Sequence, residues 1–157
     1  MRNYVYPSVK HVMNTTKFKY KERAEAAIKT LKWLDGGKSP PKEKNEKIEF
    51  NMEKYIEFDD CGTVCCIGGA ISLFTKNFRP SYIMHIDFED VDNPNDELRM
   101  LFYANNITIY LMGQITKFEA AVALRKYLKT GKVDWSHLKI SVLENRYDKR
   151  KNNFDSI

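Results

Sequence analysis

Apolar residues recur every three to four positions along "KERAEAAIKTLKWLDGG", residues 21–37. Ala24, Ala27, Ile28, Leu31 and Leu34 fall on one stripe, which predicts a helix closed by Gly36 and Gly37. "TKFEAAVALRKYLKTG", residues 116–131, repeats the pattern. There Thr116 and Glu119 have capping-box spacing, Phe118, Ala121, Val122, Leu124 and Leu128 predict the buried face, and Gly131 marks the end. A shorter helix is expected over Val9, Val12 and Met13, with Ser8 after Pro7 as its cap. Asn93-Pro94 begins another, with Asp96 and Glu97 in its first turn, Leu98, Leu101 and Phe102 on its apolar side, and Asn105-Asn106 at its end. "FNMEKYIEF", residues 50–58, reads as a helix capped by Asn51 with Met52, Tyr55 and Ile56 inward. Periodicity leaves residues 82–88 and 107–113 open between strand and helix.

Between these elements, "KSPPKEKNEK" at 38–47 has nothing to bury and is expected as an exposed loop. Asp134 starts a short segment through Trp135 and Leu138. Residues 144–157 are charged and polar, a tail expected to fray. The pattern predicts a mainly α protein. It would be a single compact bundle of about five or six helices over 1–143, with at most a minor strand element.

"FDDCGTVCCIGGAISLF", residues 58–74, concentrates the cysteines and three glycines at the start of an apolar run. With Thr63 as cap and Val64 as first helical residue, Cys66, Gly69, Ala70 and Leu73 share a narrow face of small side chains. Buried cysteine behaves as a small hydrophobe, and such a face lets helices approach closely. Gly62 suits the preceding turn, and Cys61 fills the space beside it. Cys61, Gly62, Thr63, Cys66 and Gly69 are therefore expected as a structural motif.

This segment resembles a motif in a group of small, mostly uncharacterised proteins of bacteria and their phages. Their Cys-Gly-Thr-x-Ala-Cys-x-Ala-Gly follows an Asn/Asp-Met-x-x-Trp/Tyr segment. "DELRMLFYA" and "ITKFEAAVALRKYLKTGKVDW" resemble their later helices, so the likeness touches about 50–135. Cys65 and Gly68 stand where the group usually has alanine. The resemblance implies a compact helical fold and carries no settled activity.

Composition narrows the chemistry. The 157 residues are 43% hydrophobic, which argues against disorder for the chain as a whole. No apolar run approaches the roughly 18 residues that span a bilayer. The first residues lack a signal-peptide pattern, and three cysteines make a poor disulfide framework, so a cytoplasmic location is expected. Net charge is +5 but segregated. Residues 1–48 hold 12 Lys/Arg against 5 Asp/Glu, residues 49–97 hold 3 against 11, and residues 98–157 hold 11 against 5.

Three sharper chemistries are open to these residues. A reactive thiol at Cys65 or Cys66 would gain from a helix N-terminus, with Thr63 and free amides as oxyanion donors, but needs a base from His11, His85 or His137. Zinc would require paired cysteine spacing that Cys61, Cys65 and Cys66 lack. Asp87, Glu89, Asp90, Asp92 and Asp96 lack the ligand spacing of a calcium loop. No metal, no cofactor and no enzymatic activity is therefore expected.

Binding remains. Nucleic acid would meet Lys10, Lys17, Lys19, Lys21 and Arg23, interleaved with Phe18 and Tyr20, and Arg146, Lys149, Arg150 and Lys151 near the end. A host or cellular protein would meet Asp87, Glu89, Asp90, Asp92, Tyr103 and Tyr110. The protein-binding reading leads.

Overall fold

A computed structural model describes residues 5–40, 48–53, 56–59, 62–75, 97–104 and 107–155. Seven helices are present among them: α1 (Val9–Thr15), α2 (Lys21–Leu34), α3 (Ile67–Phe74), α4 (Glu97–Phe102), α5 (Ile109–Met112), α6 (Lys117–Thr130) and α7 (Ile140–Asp155). The mainly helical class expected from sequence holds. A three-stranded sheet joins it: β1 (Ile48–Phe50), β2 (Ile56–Asp59) and β3 (Gly62–Cys65).

Local chemistry accounts for the strongest helices. Ser8 accepts from the His11 N–H to cap α1. The α2 stripe is buried as expected, with Ala26, Thr30 and Trp33 added. Gly36 takes φ 101° just beyond α2, in the left-handed region where a side chain is strained. At the start of α6, Thr116 accepts from the Glu119 N–H while the Glu119 carboxylate accepts from the Thr116 N–H, so the capping box is complete. The buried face of α6 is rotated from the expected one. Ala120, Ala121, Ala123, Leu124, Tyr127 and Leu128 face inward, while Phe118 and Val122 are 56% and 41% exposed. The alanine side is the one that lies against α1, α2 and α4.

The sheet overturns two expectations. Residues 50–58 are not a helix: Phe50 ends β1, and Ile56 to Phe58 belong to β2. Strand β3 lies between its neighbours, with β2 antiparallel to it in the register Ile56↔Cys65 to Asp59↔Gly62. Strand β1 pairs parallel, from Ile48↔Thr63 to Phe50↔Cys65. The cap also moves. With Thr63 and Val64 paired on both sides, helical geometry begins only after Cys66. In the turn after β1, Met52 is buried as expected.

The end of the chain differs too. Residues 144–155, expected as a frayed tail, continue α7. Glu144, Arg146, Lys149, Arg150 and Lys151 are good helix formers, and the first turns of α7 are tied to the core. Residues 107–113, left open by the pattern, contain the single turn α5. Leu98, Leu101 and Phe102 of α4 are buried as expected. Residues 41–47 of the expected loop and residues 82–88 lie outside the described residues, as do Tyr55, Asn93-Pro94 and Asn105-Asn106; in what is described of the loop, Lys38 is exposed and Pro40 buried.

Candidate functional site

The cysteine segment was the first candidate for chemistry. Cys65 ends β3 and Cys66 caps α3, its sulfur accepting from the Gly69 N–H at 3.5 Å. Both are free and buried, at 0% and 4% exposure. Burial pushes the Cys65 thiol far above its ordinary range, and the neighbouring Cys66 adds to this. The Lys117 ammonium, 4.6 Å from the centre of the Trp33 ring, opposes the shift without reversing it. Burial likewise raises Cys66 against the backbone amides at its cap. Both thiols are therefore protonated at neutral pH, and a protonated thiol is a poor nucleophile and metal ligand.

Packing accounts for Gly68. A Cβ placed on Gly68 would come within 3.2 Å of the Phe102 ring, so α3 and α4 meet there at a distance that a larger side chain disturbs. Gly69, Ala70 and Leu73 are buried in α3, which lies against α2. Gly62 and Thr63 belong to β3, and Cys61 lies outside the described residues.

Two of the three histidines are held by α6. His11 Nε2 donates to the Lys129 carbonyl at 2.8 Å, and His137 Nε2 to the Glu119 carbonyl at 2.9 Å. His85 lies outside the described residues, together with Asp87, Glu89, Asp90, Asp92 and Asp96. Among the described residues, no group of three His, Cys, Asp or Glu side chains is placed to hold a metal ion.

Of the two aromatics interleaved with the N-terminal basic residues, Tyr20 is exposed and Phe18 is not. Lys17, Lys19 and Lys21 are exposed, but Phe18 is buried edge-on against Tyr127, with ring centres 6.0 Å apart. The Lys17 N–H donates to the Tyr127 hydroxyl, fixing this segment near the C-terminal end of α6. Arg146 attaches near the other end, donating to the Glu119 carboxylate at 2.6 Å and the Gln114 carbonyl at 3.1 Å. Tyr127 and Glu119 are two turns apart, roughly 12 Å along the helix. Arg23 is half-buried, and Lys149 and Arg150 are exposed on α7.

Several large apolar side chains are exposed, Tyr20 and Phe118 among them, and three lie just after α4 and on α5. Tyr103 follows α4 and is 55% exposed, and Ile109 and Tyr110 on α5 are 70% and 48% exposed. Tyr110 meets Tyr147 of α7 edge-on at 5.1 Å. Between α4 and the start of α7 lies a recess of about 340 Å³ lined by Met100, Ile107, Trp135, Leu138 and Ile140 among others. The Trp135 indole N–H donates to the Met100 carbonyl, which fixes one wall.

One buried polar cluster escaped the sequence reading. Asp35, just after α2, accepts from the Tyr6 hydroxyl and from the Arg125 guanidinium of α6. Along the chain Asp35 is a lone acidic residue before Gly36 and Gly37, with nothing beside it to mark a role. Its partner lies 90 residues away, so no local signal pointed to it. Compared with known protein families, with curated proteins and with solved structures, the chain matches none.

Proposed function

We propose that this chain is a non-enzymatic binding protein, a small phage-encoded or accessory factor that works in the cytoplasm by binding and modulating a host or cellular protein. The observation that carries the reading is the exposure of Tyr103, just after α4, and of Ile109 and Tyr110 on α5. Exposed tyrosines are well suited to protein contacts, because they bury a large rigid surface and keep one polar end. The sealed, protonated Cys65 and Cys66 add support by weakening the thiol alternative. No helix among the described residues is long and apolar enough to cross a membrane.

Affinity capture from lysate, followed by measured binding of the recovered protein, tests this. The Tyr103→Ala/Tyr110→Ala variant should stay folded, its thermal midpoint lowered by no more than about 5 °C through loss of the Tyr110–Tyr147 contact. It should bind the partner at least about tenfold more weakly, as expected for contact tyrosines. If no specific protein is recovered, and DNA or RNA binds tightly in a salt-sensitive way that Lys149→Ala/Arg150→Ala abolishes, the nucleic-acid alternative replaces this reading.

A further inference from the structure

The recess between α4 and the start of α7 is lined mainly by apolar residues: Met100, Ile107, Val133, Trp135, Leu138 and Ile140. Its floor belongs to the core. Ile107, Trp135 and Leu138 are 9% exposed or less, whereas Ile140 is 41% exposed and forms a margin open to solvent.

The walls are set before anything binds. The Trp135 indole N–H donates to the Met100 carbonyl at 3.0 Å, and the His137 ring lies stacked on the indole with centres 6.0 Å apart. His137 is itself held by the Glu119 carbonyl of α6, and the Asp134 carboxylate accepts from the Ser136 N–H. A recess fixed in this way loses little freedom when it is filled, so more of the contact energy appears as affinity.

Size and charge narrow the occupant. The volume of about 340 Å³ stands at the lower edge of the roughly 300–1,000 Å³ typical of ligand pockets, room for one or two large side chains rather than an extended cofactor. The Met100 thioether and the Trp135 ring both make favourable contacts with an aromatic ring. Charge beside the recess is mainly positive. Lys132 directly precedes Val133, and Lys139 stands between Leu138 and Ile140; both are exposed, and neither forms an ion pair among the described residues. The Asp134 carboxylate, also in the lining, is already paired with the Lys126 ammonium at 2.6 Å.

We propose that this recess is the anchor site for the partner protein, taking an aromatic side chain from a segment whose neighbouring residues are acidic. A buried aromatic anchor carries a large share of an interface's affinity, and Lys132 and Lys139 favour the approach of an acidic segment. Tyr103 and Ile109 are only three and two residues along the chain from the lining residues Met100 and Ile107, within reach of the same partner. The inference rests on the protein-binding reading and adds where the partner is held and by what chemistry.

Selection from a random peptide library displayed on phage, with the full chain as target, tests it. Ser136→Trp blocks the recess: Ser136 is exposed, and its bond to Asp134 is made by the backbone N–H, so the larger side chain leaves the core closed. Ile140→Trp, at the open margin, gives the same comparison should circular dichroism show Ser136→Trp unfolded. Sequences enriched on wild type should carry Trp, Phe or Tyr among Asp or Glu residues. The corresponding synthetic peptides should bind the blocked variant at least about tenfold more weakly. Lys132→Glu/Lys139→Glu should weaken them about three- to tenfold at low salt, a difference that shrinks at high salt. The inference fails if no sequence is enriched, if the enriched peptides are basic or lack an aromatic residue, or if they bind the blocked variant as tightly as wild type. If the blocked variant binds the captured partner at full strength while Tyr103→Ala/Tyr110→Ala does not, the recess is excluded and the protein-binding reading stands.

Discussion

Gly131→Ala isolates the energetic consequence of one close helix approach. Gly131 closes α6 at φ 73°, with its N–H bonded to the Tyr127 carbonyl. A Cβ added there would lie 1.9 Å from the Thr15 carbonyl oxygen, which is backbone and cannot rotate away. Relief requires the end of α1 to retreat by more than an ångström. That movement breaks the Thr15 Oγ1–Leu128 and His11 Nε2–Lys129 hydrogen bonds, which join α1 to α6. Two such bonds contribute about 1 kcal/mol each. The left-handed backbone adds about 1–2 kcal/mol for any residue with a side chain.

The expected loss is thus about 3–4 kcal/mol, a large part of the roughly 5–15 kcal/mol that stabilises a typical domain. Gly36→Ala supplies the control, because Gly36 also has positive φ but nothing lies within 4 Å of its added Cβ. It should lose only the backbone part, about 1–2 kcal/mol. Urea unfolding followed by circular dichroism measures both, and the thermal midpoint of Gly131→Ala should fall by roughly 10 °C. Equal losses, within about 0.5 kcal/mol, would refute the argument from close approach.

Three further outcomes follow from the same contacts. In a Cys61→Ser background, Cys65 and Cys66 should react with a thiol reagent at pH 8 only as the protein unfolds; one fast-reacting thiol would end the packing account. Gly68→Val should destabilise by about 1–3 kcal/mol through crowding of Phe102, and the Gly68→Val/Phe102→Ala double variant should lose less than the two singles together. Thr116→Ala should lose about 1 kcal/mol of stability with the cap. For Glu119, partial burial raises the carboxyl, but hydrogen bonds and charge from Arg146, with the bonds at Thr116, bring it below its ordinary value. Its stabilisation is therefore complete above the unfolded carboxylate range and lost as pH falls through the lower folded value. The stability difference between wild type and Glu119→Gln should shrink across that acidic window, and a difference independent of pH there would count against the pairing.

Where structure depends on neighbours along the chain, the sequence was sufficient. Ser8, the α2 stripe, the Thr116–Glu119 box and Gly131 are short-range signals, and each element stands where its residues predict. The buried cysteines were legible as well, since small apolar side chains beside glycines suit a packed helix start. Tertiary structure decided what those signals leave degenerate. Residues 48–50, 56–59 and 62–65 have enough apolar positions for either helix or strand, and they are strands because β3 finds partners on both sides. That pairing moved the cap from Thr63 to Cys66. Helix α7 is polar enough to read as a loose tail, and Arg146 reaching Glu119, 27 residues away, ties it down. Capping and periodicity act within a turn or two of helix; strand partners and the Arg146–Glu119 and Arg125–Asp35 ion pairs exist only once distant segments have met.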